Sequence, residues 1–228
     1  MARRFELSSF EVFRDTSDSA FYESDGRSPQ ETWVEIISGM ERALAWGVEL
    51  ALARRQVTPE WIGEVHRLIF EGTFPADAGR FRGMRPNGAP EEVWFGISVS
   101  GSQTARIQPK KGVHPKRIVE NLDRACLEFD NSAAEIRSGM VDPAVRTATT
   151  ACAKLYAKIV NIHPFVDGNL RAAFVSLQAS LLALELPLVQ FDDLDRHDDA
   201  IDRALRVDGD QSYVPLASLI EEIIKSSA

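Results

Sequence analysis

The sequence is poor in the residues from which metal centres, disulfide scaffolds and membrane spans are made. Its two cysteines, Cys126 and Cys152, cannot build a disulfide framework and fit a reduced compartment. Four scattered histidines form no H-E-x-x-H pair and no C-x-x-C accompanies them, so a zinc site has no support. The longest charge-free runs, Val93–Ala105 and Ala172–Leu184, are 13 residues each, short of the roughly 18–20 that cross a bilayer. The N-terminal Met-Ala-Arg-Arg-Phe-Glu-Leu has no apolar stretch behind its arginines, which argues against a signal peptide. Basic residues are in deficit, 26 Lys and Arg against 34 Asp and Glu, for a net charge of −8. That balance disfavours wrapping a nucleic-acid backbone but leaves room for one local anion site. No G-x-x-x-x-G-K-[ST] and no G-x-S-x-G occurs, which removes P-loop and α/β-hydrolase chemistry. The expectation is a soluble, cytoplasmic protein without membrane or nucleic-acid partners, about one core domain long at 228 residues.

What is present is mostly helix. Ser28-Pro29-Gln30-Glu31 combines an N-cap, a first-turn proline and a capping-box acid. Behind it Trp33, Ile36, Ile37, Met40, Leu44 and Val48 recur every 3–4 residues, the period of a helix with one buried face. Further helices are predicted from Thr58-Pro59, after Pro115, from Asp142-Pro143 to about Ile162, over Asn169–Leu184, over Leu194–Arg206 and over Pro215–Lys225. One segment differs. Val93–Val99 is β-rich, Ser100-Gly101-Ser102 is turn chemistry, and Thr104–Ile107 reads as a return strand. Arg80–Pro90 is a loop leading to that hairpin, and Met1–Arg27 is polar and weakly patterned. The fold class is therefore mostly α, with a small β-hairpin set into a helical bundle.

The string His163-Pro164-Phe165-Val166-Asp167-Gly168-Asn169-Leu170-Arg171 concentrates the chemistry. Pro164 disfavours helical geometry in the residue before it, so the preceding helix must stop there. Gly168 and Asn169 tolerate positive φ, and a new helix starts at once. The unpaired N–H groups of such a start, with the helix dipole behind them, make an anion site. Arg171 adds a forked donor for phosphate. Asp167 offers a hard oxygen ligand for a phosphate-bound divalent cation. His163 can accept a proton near neutral pH. Together these suit transfer from a nucleotide phosphate to a hydroxyl.

At these residues the sequence resembles the Fic/Doc family, whose pattern is H-x-F-x-[D/E]-[G/A]-N-x-R. His163, Phe165, Asp167, Gly168, Asn169 and Arg171 fill all six constrained positions. The odds of a chance match in this chain are on the order of 10⁻⁵, so the turn is more than a generic helix connector. The likeness extends upstream through His66–Phe70 and Ala78–Arg82 to the expected hairpin. It implies a Fic-like bundle over residues 58–190 with a flap at about 93–107, an N-terminal helical extension over 1–57, and C-terminal helices over 191–228. It further implies protein AMP transfer from ATP to a target protein's hydroxyl side chain. In that chemistry His163 is the base, and Asp167 holds Mg²⁺. Gly168, Asn169, Leu170 and Arg171 bind the nucleotide, Phe165 anchors the loop, and Ile107 in the flap clamps the target.

Two positions depart from the resemblance. Residue 170 is Leu, where AMP-transferring members usually carry Gly and phosphorylating Doc-like members Lys. Residue 174 is Phe, where many AMP-transferring members carry a second Arg. Doc-like phosphoryl transfer and a degenerate nucleotide- or peptide-binding module therefore stand as alternatives. An inhibitory partner, or a glutamate in an [S/T]-x-x-x-E-[G/N] helix, is also implied for many members; Ser19–Glu23 and Ser218–Glu222 match that pattern only in part. Outside the motif, His66 reads as a hydrogen-bonded packing residue, His114 as a helix cap and His197 as exposed. Cys126 and Cys152 read as inert packing. The eight aspartates of Asp192–Asp210 read as a solvated helix rather than a calcium loop, with Asp199/Arg203 and Asp202/Arg206 as i,i+4 pairs.

Overall fold

The structure, a computed structural model, describes residues 28–83, 94–95, 110–140, 145–206 and 210–226. Its described residues contain seven α-helices: α1 Pro29–Leu52, α2 Pro59–Phe70, α3 Ile118–Ser138, α4 Val145–Ile162, α5 Asn169–Ala183, α6 Leu194–Arg206 and α7 Val214–Ser226. Each predicted helix is present within a few residues of its expected limits. The local signals explain why. Ser28 and Glu31 close a reciprocal capping box at the start of α1, with the Glu31 carboxylate accepting the Ser28 N–H at 2.8 Å. Thr58 Oγ1 accepts the Trp61 N–H at 3.2 Å and starts α2. His114 caps a 3₁₀ turn at Pro115–Arg117, accepting the Lys116 N–H, and that turn feeds α3.

Most of 93–107, including Ile107, lies outside the described residues, as do 1–27 and Asp142-Pro143. What is described is an antiparallel ladder of β1 Trp94–Phe95 with β2 Lys110–Lys111, Trp94 opposite Lys111. Thr104–Ile107, read as the return strand, lies outside the described residues.

α4 is the hub: it packs on α3, α5, α6 and α7, while α5 also meets α1 and α2. Small residues make this possible. Ala148, Ala151, Cys152, Ala153 and Ala157 of α4 are all buried, which lets neighbouring helices approach closely. Where α1 crosses α2, a Cβ on Gly39 would strike the Ile69 backbone, so only glycine admits that crossing. One apolar cluster runs through these helices from Trp33 to Ile224. Among the described residues no helix is long and apolar enough to cross a membrane.

The C-terminal helices correct the reading of His197. His197 is buried at 1% exposure, not exposed. Its Nε2 lies 2.9 Å from the Tyr156 hydroxyl of α4 and its Nδ1 3.1 Å from Asp198. Asp195 and Asp199 are exposed on the wet side of α6, and His197, Ile201 and Leu205 form the buried stripe on the other side. Both cysteines are buried as expected, and burial pushes the Cys126 thiol up to about 12, so it stays protonated and unreactive.

Candidate functional site

The loop 163–168 joins the end of α4 to the start of α5 and sits beneath α2. Its first residue leaves the helix in left-handed geometry, with φ of +53° at His163, a conformation that costs a non-glycine residue roughly 1–2 kcal/mol. Arg82 holds it there. Its Nε donates to the His163 carbonyl at 2.6 Å and an Nη to the Val113 carbonyl at 2.7 Å. Its own N–H donates to the Pro164 carbonyl at 2.8 Å. Arg82 is 2% exposed, and its guanidinium serves as the C-terminal cap of α4. Nothing local in the sequence identified that role; a lone buried arginine with carbonyl partners 81 residues away is a tertiary fact.

Asn169 closes the other half of the turn. Its Oδ1 accepts the Phe165 N–H at 2.8 Å and its Nδ2 donates to the Phe165 carbonyl at 3.0 Å. The side chain thus braces the loop, and the backbone N–H of Asn169 stands in the first turn of α5. Phe165 is fully buried, in line with its expected anchoring part. Its ring stacks on His66 with centroids 3.7 Å apart and meets Phe81 at 5.4 Å.

Gly168 has φ of +72° and caps α5 without any side-chain bond, so the first-turn amides of a 15-residue helix face the loop. A Cβ at Gly168 would collide with the Phe70 ring and come 3.3 Å from His66 Nε2. Gly168→Ala is therefore expected to lose about 2–4 kcal/mol, the sum of left-handed strain and overpacking. A thermal melt should show this as a fall of roughly 5–15 °C; an unchanged melting point would mean the loop relaxes freely.

Arg171 and Asp167 face each other at 4.0 Å, the arginine 7% and the aspartate 31% exposed at their side chains. The Arg171 guanidinium lies 5.7 Å from the Trp33 ring and 5.9 Å from the Phe70 ring, a cation held between two aromatic faces. Asp167 also lines a small cavity of about 10 Å³ with His66, Phe70, Phe74, Asp77 and Val166. Among the described residues no three His, Cys, Asp or Glu side chains cluster as a metal site. One half-exposed carboxylate is nonetheless the donor set that suits Mg²⁺ carried on phosphates, since that ion takes one or two carboxylates and keeps its remaining ligands from substrate and water.

Both site histidines are neutral at pH 7. Burial pushes His66 down to about 3, with the nearby Arg171 charge adding to the effect. Burial, then the Arg82 charge, brings His163 down to about 3, against a hydrogen bond to the Val160 backbone. An unfolded histidine binds its proton near 6.5, so between pH 6.5 and 3 the unfolded chain holds more protons. The stability these groups contribute is complete above pH 6.5 and is lost as pH falls toward 3. His66 alone should cost on the order of 1.4 kcal/mol per pH unit in that window. Melting points measured from pH 7 to pH 4 should fall steeply, and less steeply in His66→Gln. Equal slopes would show that His66 is not held neutral.

Leu170 packs partly buried against the core, and Phe174 is 1% exposed with its ring 6.2 Å from Phe191. The second partial glutamate pattern is committed elsewhere: Glu222 takes both Arg196 guanidinium nitrogens at 2.8 and 3.1 Å.

A helical bundle whose two innermost helices meet at this loop is a Fic-type architecture, and the sequence agrees with it. The Fic/DOC family profile matches residues 56–181, more than half of the chain, and the protein belongs to that family. The fold is similar to that of a Fic-domain-containing signalling protein from Bacteroides thetaiotaomicron, with 16% identity and a TM-score of 0.66 over 97% of this chain and 76% of that one. It is similar also to Fic-1 (residues 134–508) from C. elegans, with 19% identity and a TM-score of 0.63 over 96% of this chain and 58% of that one. BepC, a VirB-translocated effector of Bartonella tribocorum solved with bound AMPPNP, aligns with 16% identity and a TM-score of 0.57 over 86% and 87% of the two chains. Among curated proteins, none matches the chain in sequence.

Proposed function

We propose that the protein transfers AMP from ATP to a hydroxyl side chain of a target protein, using the 163–171 loop. The observation that carries this reading is the meeting, within one turn, of a neutral histidine, a half-exposed carboxylate, an uncapped helix start and a buried arginine. His163 accepts the proton of the attacking hydroxyl. That oxygen bonds to the α-phosphorus as the bond to the bridging oxygen breaks, and pyrophosphate leaves. The first amides of α5 and the Arg171 guanidinium hold the phosphates and face charge that grows during transfer. Asp167 would hold Mg²⁺, which supplies charge neutralisation on the phosphates when bound. The nucleotide seen in BepC supports an adenine nucleotide as donor. Residues 58–190 are taken as the transferring unit and Ile107 as a target-docking position. A reduced, cytoplasmic setting fits the two unpaired cysteines.

Phe174 favours keeping Doc-like phosphoryl transfer as the second reading. It fills the core where a second phosphate-binding arginine would stand, so the triphosphate tail has one arginine less to orient it. Incubation with α- and γ-labelled ATP and a lysate, followed by intact-mass analysis, separates the outcomes. AMP transfer retains the α label and adds about 329 Da, phosphoryl transfer retains the γ label and adds about 80 Da. Nucleotide binding without any mass shift would mean a binding module.

Asp167→Ala is expected to weaken Mg²⁺-dependent ATP binding by roughly 10-fold or more while leaving metal-free binding nearly unchanged. Calorimetric titration with and without Mg²⁺ reads this directly. An undiminished Mg²⁺ effect in the variant would place the ion on other residues.

A further inference from the structure

His66 is buried at 4% exposure, 101 residues before the loop it touches. Its Nδ1 accepts the Gly79 N–H at 3.0 Å. A backbone amide can only donate, so Nδ1 carries no proton and the neutral ring bears its proton on Nε2. Nε2 lies 3.0 Å from the Asp167 carbonyl, which therefore receives that proton as a hydrogen bond. The ring is clamped in the plane this requires, stacked on Phe165 with an interplanar angle of 14° and tilted against Phe70 with centroids 4.6 Å apart.

We infer that His66 is a positioning residue for the loop, and that its Nε2–H bond to the Asp167 carbonyl, rather than its bond from Gly79, is the one that nucleotide chemistry depends on. The Asp167 carbonyl and the Gly168 N–H belong to one peptide plane. Fixing that plane sets ψ of Asp167 and feeds φ of Gly168, which stands at +72°. Those two torsions decide where the Asp167 carboxylate points relative to Arg171 and how the first amides of α5 are aimed. If the plane turns, the carboxylate, the helix start and the 4.0 Å pair with Arg171 move together. The Gly79 bond anchors the ring to the turn after α2 and touches no group of the loop. A histidine that merely fills the core would need both nitrogens satisfied equally; here the two bonds have different consequences.

The two nitrogens can be separated by substitution. The amide nitrogen of Gln sits close to where Nε2 stood and can donate to the Asp167 carbonyl, whereas the side-chain oxygen of Asn sits close to Nδ1 and can accept from Gly79. Both variants lose the stacked ring, so His66→Gln and His66→Asn should lower the melting point alike. The inference, which rests on the transferase reading for its kinetic arm, predicts that Asn lowers kcat roughly 10–100-fold and weakens Mg²⁺–ATP binding, while Gln stays close to wild type in both. Equal kcat and equal Mg²⁺–ATP affinity in the two variants, or a more active Asn variant, would overturn it. So would a folded Gln variant that has lost activity, should the Asn variant fail to fold. A wild-type protein that transfers nothing sinks the transferase reading instead. Amide hydrogen exchange across 163–171 then decides the inference on its own: faster in Asn and unchanged in Gln supports it, and equal rates refute it.

Discussion

His163→Ala should lower transfer by about 10²–10⁴-fold, the usual contribution of a general base, while ATP affinity stays close to that of the native protein. The split follows from where the base acts. His163 takes a proton only as the hydroxyl oxygen bonds to phosphorus, so its loss raises the barrier without loosening the ground state. Alanine at this position carries a second effect, because φ of +53° strains any residue with a Cβ. His163→Asn is the control: asparagine tolerates the left-handed region better and keeps a polar group near Nδ1, yet has no basic nitrogen. Both variants should be inactive, and only the alanine variant should melt noticeably lower. Full turnover in a folded Asn variant would remove His163 from the mechanism.

With His163 held down to about 3 by burial and the Arg82 charge, the free protein has its base in the proton-accepting form throughout the neutral range. kcat/KM, which reports the free enzyme, should therefore show no acid limb from this residue between pH 8 and about pH 5. An unperturbed histidine would produce one near 6.5. Bound phosphates bring negative charge beside the ring and favour its protonated form, so kcat should bend at higher pH than kcat/KM does.

What could be read in the sequence was what is local. The caps at Ser28, Thr58 and His114 lie within three residues of the amides they serve, and the stop at Pro164 acts on its own neighbour. The motif string puts His163, Asp167, Gly168, Asn169 and Arg171 within nine residues, and the fold keeps them around one helix-to-helix loop, which the Asn169 side chain braces. Partners from afar were invisible. His66 reaches Asp167, Arg82 reaches the end of α4, and Trp33 of α1, outside the family-matched segment, reaches Arg171. No spacing rule connects residues a hundred positions apart. His197 was a different kind of miss, since its stripe with Ile201 and Leu205 was legible and the surrounding aspartates outweighed it.

Arg82 is the residue whose loss should damage the fold most. It places a cation in a nearly dry site and satisfies the carbonyls of Val113 and His163, with Ile162 in longer reach at 3.4 Å. The His163 and Ile162 carbonyls belong to the end of α4, where no further helical amide can serve them, and the Val113 carbonyl belongs to the segment that leads into the Pro115–Arg117 turn. Burial lowers the pKa of Arg82 itself, but an arginine stays charged in this setting, so the carbonyl dipoles are its compensation. Arg82→Met removes the charge along with its donors. The charge no longer has to be buried, yet the His163 and Val113 carbonyls lose their side-chain donor at about 1–3 kcal/mol each, while Ile162 keeps the Val113 N–H. The net loss should be on the order of 3–5 kcal/mol, enough to lower the melting point by roughly 10–15 °C. Arg82→Lys tells the geometry from the charge. Lysine keeps the cation but replaces a planar fork with a single point donor that cannot serve carbonyls on two segments at once. It should recover only part of the stability, and His163 should remain depressed, whereas in Arg82→Met the histidine should titrate closer to its ordinary value because one of the two causes holding it down is gone. Proton NMR titration of the His163 ring in both variants measures this. An Arg82→Lys variant as stable as wild type would mean that the guanidinium fork is not what holds the loop, and a His163 that titrates identically in both variants would mean that the Arg82 charge does not hold it down.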